Sequence, residues 1–191
     1  MLSPDAECMA KNCRSTGVNA CTMPPSLSHP TQTISDDMKD PIPRDGLKPE
    51  FWKRPLASMT PREWEALCDG CGKCCLNKLE DADTGEIFFT RIGCRLLDDQ
   101  TCRCGQYETR KSFVPECVVL TPKTISKVAH WLPSTCAYRL LHEGKPLFDW
   151  HPLVSGDAAS VEASGMSVRG WSIPEFEVPE DDWEDYIIED L

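Results

Sequence analysis

The sequence predicts a small α+β domain with irregular loops, organised around a cysteine-ligated metal site. Three observations lead to this prediction. A helix-start signal occurs at residues 60–63, short strand-like runs follow from residue 87, and nine of the twelve cysteines lie between residues 68 and 136. A chain of 191 residues is long enough for one core with extensions, since about 150 residues per domain is a usual expectation.

Residues 1–48 are expected to form a disordered leader. They are rich in Pro, Ser, Thr and Asp and carry only scattered large apolar residues. Such a segment cannot bury enough apolar surface to offset its chain entropy. Its cysteines, Cys8, Cys13 and Cys21, have no metal-knuckle spacing, and Met38 is a candidate alternative start of translation. The metal-binding domain is therefore expected over residues 49–170.

Short helices are predicted at three places. Residues 60–63 combine an N-cap Thr, a Pro at the first helical position and a Glu that completes a capping box. Residues 121–122 open a second helix that Pro133 ends. A third helix runs from Cys136 to about Glu143, with Gly144 as the residue that closes it.

A short hairpin is predicted between the helices. Residues 87–90 and 94–97 have the apolar and β-branched content of strands, and turn sequences follow at residues 98–100. Cys94, Cys102 and Cys104 lie around this hairpin. A C-x-C pair usually needs extended backbone to direct both sulfurs at a shared ion.

Residues 171–191 form an acidic, aromatic C-terminal tail. They contain nine acidic residues and no Lys or Arg, with Trp171, Phe176 and Trp183 interleaved. The sequence allows two interpretations of this tail: a solvated extension with one docked Trp, or a segment that docks on a protein partner or on its own domain.

Composition and charge exclude several classes. The net charge of −11 argues against binding to nucleic acid or to an anionic membrane surface. No run approaches the roughly 18 apolar residues of a membrane span, and the N-terminus lacks a secretory pattern. A cytoplasmic protein is expected. No P-loop, dinucleotide-binding or hydrolase nucleophile motif occurs.

The strongest functional signal is a C-x2-C-x2-C-C cluster formed by Cys68, Cys71, Cys74 and Cys75. Two cysteines separated by two residues can direct both sulfurs at one ion. Gly70 and Gly72 let backbone amides approach the sulfurs, and Lys73 adds positive charge that lowers thiolate pKa.

Nine cysteines are the candidate metal ligands: Cys68, Cys71, Cys74, Cys75, Cys94, Cys102, Cys104, Cys117 and Cys136. Tetrahedral sulfur ligation suits zinc and iron-sulfur centres alike. The triple spacing resembles the first three ligands of a bacterial ferredoxin loop, which favours an iron-sulfur cluster or mononuclear iron over zinc. A remote cysteine such as Cys136 would supply the fourth ligand. Nine cysteines also allow two four-ligand sites with one to spare.

Disulfides, buried free thiols and a redox pair are the three alternatives to metal binding for these cysteines. Disulfides are disfavoured because the cytosol keeps thiols reduced. Buried free thiols could explain Cys94 or Cys117, though hardly four cysteines within eight residues. A C-x-x-C redox pair would need a βαβ context that the sequence lacks.

Residues 51–183 resemble the YcgN-like branch of the YkgJ cysteine-cluster family, bacterial proteins described by a zinc- or iron-chelating CxxCxxCC domain. The resemblance includes Leu67-Cys68-Asp69-Gly70-Cys71-Gly72, Cys74-Cys75-Leu76, Thr101-Cys102-Arg103-Cys104, Trp131-Leu132-Pro133, Thr135-Cys136-Ala137-Tyr138, Trp150-His151-Pro152-Leu153 and Ser167-Val168-Arg169. All nine candidate cysteines fall on family positions. The resemblance implies metal binding and supplies no reaction.

The sequence therefore predicts a metal-binding protein that holds an iron-sulfur cluster or zinc. One alternative is a structural zinc module whose acidic tail contacts a protein partner. Another is an enzyme with an open coordination site on its metal, in which His151 is the candidate catalytic residue for proton transfer.

Overall fold

A computed structural model describes residues 42–189 of the chain. The leader cysteines Cys8, Cys13 and Cys21 lie outside the described residues, as do the last two residues of the tail. In the described part, short helices and small sheets alternate along the chain, which confirms the α+β class. No described helix is both long and apolar enough to cross a membrane.

The helices of residues 42–189 are all short. They are α1 (Pro61–Glu65), α2 (Arg110–Phe113), α3 (Ile125–Val128), α4 (Ala137–His142), α5 (Pro152–Ser155) and α6 (Ser160–Ala163). Several 3₁₀ turns accompany them, among them Phe51–Lys53, Lys73–Cys75, Ala129–Trp131 and Glu180–Tyr186. With so few residues in regular helix, loops hold much of the structure together.

The capping predictions for α1 and α4 are confirmed. Thr60 accepts a hydrogen bond from the Glu63 backbone N–H, and the Glu63 carboxylate accepts from the Thr60 N–H at 2.8 Å. Cys136 is the N-cap residue of α4, and Gly144 beyond its end has the left-handed φ of 71°. α1 stops at Glu65, so the first cysteines lie in a loop after it.

The second helix begins later than predicted. The side chains of Thr121 and Thr124 hydrogen-bond to each other at 2.9 Å, and each also accepts from the backbone N–H of the other. This local bonding makes residues 121–124 a turn, because Thr side chains compete with the helical pattern. α3 therefore starts at Ile125, and the 3₁₀ turn Ala129–Trp131 continues it toward Pro133.

Two small sheets lie beside the helices. The larger has the order β1-β2-β5, in which β1 (Leu76–Glu80) pairs antiparallel with β2 (Ile87–Gly93), and β2 pairs parallel with β5 (Ile173–Pro174). The smaller joins β3 (Leu97–Asp98) to β4 (Arg103–Cys104). The strand predicted at residues 94–97 is wrong for its first three positions, since the Leu97 N–H bonds to the Cys94 carbonyl at 2.8 Å and closes a turn there.

In the main core, α1, α3 and α4 pack against residues 42–59. Trp64 lies on Tyr138 with ring centroids 4.8 Å apart, and the Tyr138 hydroxyl donates to the Trp64 carbonyl at 2.9 Å. Ile42 is 5% exposed and belongs to this core, so packing begins before residue 48. A smaller cluster of Leu76, Cys102 and Val168 lies under the cysteine loop.

The acidic tail packs on its own domain. β5 extends the larger sheet, Ile187 forms an isolated antiparallel bridge with Thr90, and the Ile188 N–H donates to the Phe89 carbonyl at 2.8 Å. Phe176 remains 79% exposed. The segment from β5 to Ile188 thus runs along β2.

Candidate metal centre

The cysteine loop follows directly from the end of α1. Gly70 and Gly72 both have positive φ, 79° and 78°, a conformation that residues with a Cβ rarely adopt. The Cys71 N–H donates to Asp69 Oδ1 at 3.0 Å, and the Cys71 carbonyl accepts from the Val168 N–H at 2.9 Å. The glycines therefore let the loop fold back on itself and against the smaller core cluster.

Four thiols surround the start of this loop and form what we call the Cys68 group: Cys68, Cys71, Cys74 and Cys136. Burial raises the pKa of Cys68 to about 12, and the charges of Asp69 and Cys74 add to the shift. Burial likewise raises the pKa of Cys71 and Cys136, with Asp69, Cys74 and Cys68 contributing to both. Cys68, Cys74 and Asp69 therefore lie within electrostatic range of both Cys71 and Cys136.

Asp69 lies beside the Cys68 group, and it was not among the candidate site residues predicted from the sequence. Its Oδ1 is satisfied by Cys71, whereas its buried Oδ2 has no hydrogen-bond partner among the described residues. A buried carboxylate oxygen normally has a donor or a cation beside it. The only sequence signal was the position of Asp69 between the first two cysteines.

Two arginines bring positive charge to the Cys68 group. The Arg44 guanidinium donates to the backbone carbonyls of Ala66 and Cys68. Arg103, from β4, acts to lower the pKa of Cys68, against the larger effect of burial. The sequence analysis placed Arg44 in the leader, so its contact with the cysteine loop could not be predicted.

A second set of four thiols, the Cys75 group, lies at one end of the larger sheet: Cys75, Cys94, Cys104 and Cys117. Burial raises the pKa of Cys94, and Glu175, Cys117 and Cys104 add to this. The hydrogen bond with Cys74 is the main cause that raises the pKa of Cys75, to which Cys94 and Cys104 also contribute.

Cys74 of the Cys68 group and Cys75 of the Cys75 group are in direct contact. Their sulfurs are 4.0 Å apart, within hydrogen-bond range for sulfur. With Cys75 as the donor, this bond lowers the pKa of Cys74 to about 7, assisted by the nearby Lys78 ammonium. Cys74 is also exposed, so it combines accessibility with thiolate character.

Cys102 is the ninth candidate, and its side chain packs beside Gly72. It is 5% exposed, packs with Leu76 and Val168, and its sulfur is 3.2 Å from the Ser167 hydroxyl. All nine cysteines from Cys68 to Cys136 are free thiols. Within residues 42–189, no group of three or more His, Cys, Asp or Glu side chains is placed to hold a metal ion, so the ligand roles stay predictions.

His151, the candidate proton carrier, is 1% exposed at the start of α5. Its Nδ1 accepts from the Leu153 N–H at 3.1 Å, and its Nε2 lies 3.1 Å from the Leu67 carbonyl oxygen. Burial lowers its pKa. Both ring nitrogens therefore have protein partners, and the catalytic role of His151 stays a prediction.

Comparison with known proteins finds a family model that matches part of the domain. Residues 67–137 match a family model called CxxCxxCC and described as "Putative zinc- or iron-chelating domain". This range contains all nine candidate cysteines and both four-thiol groups. No solved structure matches the chain.

Several bacterial proteins are similar to most of the chain. A UPF0260 protein of Rhodobacter capsulatus is 65% identical over 145 residues, which is 76% of this chain and 97% of the relative. UPF0260 proteins of Rhizobium etli and Cellvibrio japonicus are each 56% identical, over 73% and 72% of this chain and 88% and 94% of their own lengths. The chain therefore belongs to the UPF0260 family of bacterial proteins.

Proposed function

We propose that the protein is a metal-binding protein whose centre, zinc or an iron-sulfur cluster, is held by Cys68, Cys71, Cys74 and Cys136. The observation that carries this proposal is the buried Oδ2 of Asp69, which has no described hydrogen-bond partner and lies within electrostatic range of these thiols. A carboxylate oxygen and four sulfurs are hydrogen-bond acceptors and metal ligands. A cation bound by the four sulfurs would also place positive charge near the Asp69 oxygen.

The donor set fits a thiophilic metal. Four sulfurs are the usual ligand set of structural zinc sites and of iron-sulfur clusters. Three of these thiols have a pKa raised mainly by burial, so they are protonated in the metal-free chain. A bound cation displaces those protons and stabilises the thiolates, and metal binding should therefore release protons.

The centre would tie together two distant parts of the fold. Cys68, Cys71 and Cys74 belong to the loop after α1, whereas Cys136 is the N-cap of α4. Because the longest described α-helix has six residues, bonds between loops contribute much of the rigidity. Small zinc-dependent domains gain about 10–16 kcal/mol from their metal, so a structural role for the centre is physically reasonable.

The finer features of the proposal rest on the sequence. The triple cysteine spacing supports iron-sulfur chemistry over zinc, and the residues given above support the YcgN-like branch of the YkgJ cysteine-cluster family. Nine free thiols in one domain persist best in a reducing compartment, which supports a cytoplasmic location. A fully thiolate-ligated centre leaves no open position for substrate, so the proposal assigns no reaction.

Metal analysis of the full chain, purified without oxygen, tests the proposal. The wild-type chain should contain iron or zinc, and Cys74→Ser should contain less of it. Cys74 is suitable because it is exposed, so its substitution disturbs little packing. Cys102→Ala is the matched control and should keep the wild-type metal content. Equal iron and sulfide with visible charge-transfer bands would assign a cluster, and a colourless zinc protein would assign zinc.

Two results would contradict the proposed centre. One is a folded wild-type chain that takes up neither metal from a supplemented medium. The other is a Cys74→Ser variant whose metal content equals that of the wild type.

A further inference from the structure

The backbone brings two cysteines of the Cys75 group to the same end of the larger sheet. Cys75 directly precedes β1, and Cys94 directly follows β2. The pairing of Leu76 with Gly93 sets the strand ends beside each other, and the Cys94 N–H donates to the Cys75 carbonyl at 2.9 Å. These contacts are backbone hydrogen bonds, so they do not depend on thiol orientation.

The small hairpin adds Cys104 to the same place. The Leu97 N–H bonds to the Cys94 carbonyl, and Leu97 is the residue that pairs with Cys104 in the β3–β4 ladder. The Gly105 N–H then bonds to the Leu96 carbonyl at 2.7 Å. Cys104 is thus held next to the turn that begins at Cys94, and both thiols are half-buried.

Cys117 arrives from a fourth segment. It ends a turn after α2 in which its N–H donates to the Val114 carbonyl at 3.0 Å. Its thiol is within electrostatic range of Cys94 and of the Lys78 ammonium. Its sulfur lies 3.9 Å from the Val118 carbonyl oxygen. Four separate chain segments therefore bring one cysteine each to the same region.

A fixed positive charge accompanies these thiols. The Lys78 Nζ donates to the carbonyls of Cys74 at 3.0 Å and Leu76 at 2.7 Å, and it lies 4.9 Å from the centre of the Phe89 ring. Glu175, the acidic group that faces Cys94, is ion-paired with Arg95 and accepts from Asn77. Lys78 can therefore offset part of the negative charge of four thiolates around a divalent ion.

We propose that Cys75, Cys94, Cys104 and Cys117 form a second metal site, separate from the first, which binds one zinc-like divalent ion through four sulfurs. The two sites are adjacent because Cys74 and Cys75 are neighbours in sequence, and each residue supplies a ligand to a different site. Cys102 contributes to neither. The inference does not require the first site to be correct, because the two ligand sets share no residue.

Cobalt binding to the full chain tests the proposal, since Co²⁺ replaces zinc and its sulfur ligands give an absorption signature. The metal-free wild type should bind two Co²⁺ per chain with thiolate charge-transfer bands. Cys104→Ser and Cys74→Ser should each bind one, the double variant none, and the control Cys102→Ala two.

The outcomes separate the two proposals. If Cys104→Ser binds as much Co²⁺ as wild type while Cys74→Ser binds less, the second site is wrong and the first stands. If only Cys104→Ser loses Co²⁺, the first site is wrong and the second stands. If the wild type binds a single ion that either variant abolishes, one shared centre replaces the two-site proposal.

A second measurement needs no variant and remains valid if Cys104→Ser fails to fold. Alkylation of the zinc-loaded wild type, mapped by peptide mass spectrometry, should be slow at Cys94, Cys104 and Cys117. These thiols are only half-buried, so they should react several-fold faster after a chelator removes the metal. Equal rates before and after chelation would overturn the second site.

Discussion

The Nε2 of His151 lies 3.1 Å from the backbone carbonyl oxygen of Leu67, the residue immediately before Cys68. Because Nδ1 accepts from the Leu153 N–H, the proton of the neutral ring lies on Nε2 and is donated to Leu67. The buried imidazole therefore fixes the point at which the chain leaves α1 and enters the cysteine loop.

Substitution of His151 should affect stability more than chemistry. His151→Ala removes both hydrogen bonds and leaves the Leu67 carbonyl without its donor, a loss of about 2–3 kcal/mol in unfolding free energy. His151→Asn can still cap α5 and should lose less. Urea unfolding measures the difference. An Ala variant as stable as wild type would contradict this account, and one that is stable but inactive in a discovered reaction would favour the catalytic alternative.

Glu63 should make the domain sensitive to acid. It is 2% exposed, and its hydrogen bond from the Thr60 N–H, with further help from Arg54, lowers its pKa below the ordinary 4.5. The ionised form thus stabilises the fold above about pH 4.5, and this contribution disappears as the pH falls through the lower folded-state pKa.

Glu63→Gln should therefore be less stable than wild type at pH 7, with a difference that shrinks on acidification. Thermal unfolding from pH 7 to pH 3 measures it, with the exposed Glu108→Gln as control. A stability difference independent of pH would mean that the charge of Glu63 plays no part.

Gly72 and Gly70 provide a matched pair of substitutions. Both have a left-handed backbone, which costs an Ala about 1–2 kcal/mol. A Cβ at Gly72 would also lie 2.6 Å from Val168 Cγ2 and 3.2 Å from Cys102 Cβ, whereas a Cβ at Gly70 meets nothing within 4 Å. Gly72→Ala should lose about 1–3 kcal/mol more than Gly70→Ala in urea unfolding. Equal losses would show that the contact with Val168 relaxes freely.

Lys78→Met should weaken metal binding by the Cys75 group and by Cys74, because the Lys78 ammonium lies near both. Met keeps an apolar stem beside Phe89 and removes the charge that faces the thiols. Substitutions of groups that support metal ligands typically cost about 10-fold or more in affinity. Competition with a zinc chelator should show weaker zinc binding by the Lys78→Met chain, with Lys78→Arg closer to wild type. Unchanged affinity in Lys78→Met would remove Lys78 from the site.

Truncation can locate the N-terminal edge of the domain. A chain that begins at Met38 keeps buried Ile42 and the Arg44 bonds to the Ala66 and Cys68 carbonyls, whereas one that begins at residue 49 loses them. The shorter chain should unfold at a lower temperature and bind metal less tightly. Identical melting temperatures would place the edge at residue 49, as the composition suggests.

Local patterns predicted local structure well. The capping box at Thr60 and Glu63 and the Gly144 helix end depend on residues close in sequence, and both are present. The pairing of β5 with β2 could not be predicted, because it joins segments 80 residues apart that have no shared pattern.

The grouping of the cysteines into the Cys68 group and the Cys75 group could not be predicted from the sequence either. Their number allowed two four-ligand sites, but no spacing rule assigns adjacent residues such as Cys74 and Cys75 to different groups. That assignment depends on the register of β1 with β2, which brings Cys94 to Cys75. Lys78 was likewise missed, since an isolated Lys in a strand has no motif.

The contact between Cys74 and Cys75 makes this pair of thiols sensitive to oxidation in the metal-free chain. Cys74 is exposed and its pKa is lowered to about 7, so it is the thiol that a peroxide would convert to a sulfenic acid most readily. The Cys75 sulfur lies 4.0 Å away, close enough to react with that product. Attack of the Cys75 thiol on the sulfenic acid would form a disulfide and release water, so we expect reducing conditions to be needed to keep both sulfurs available to a metal.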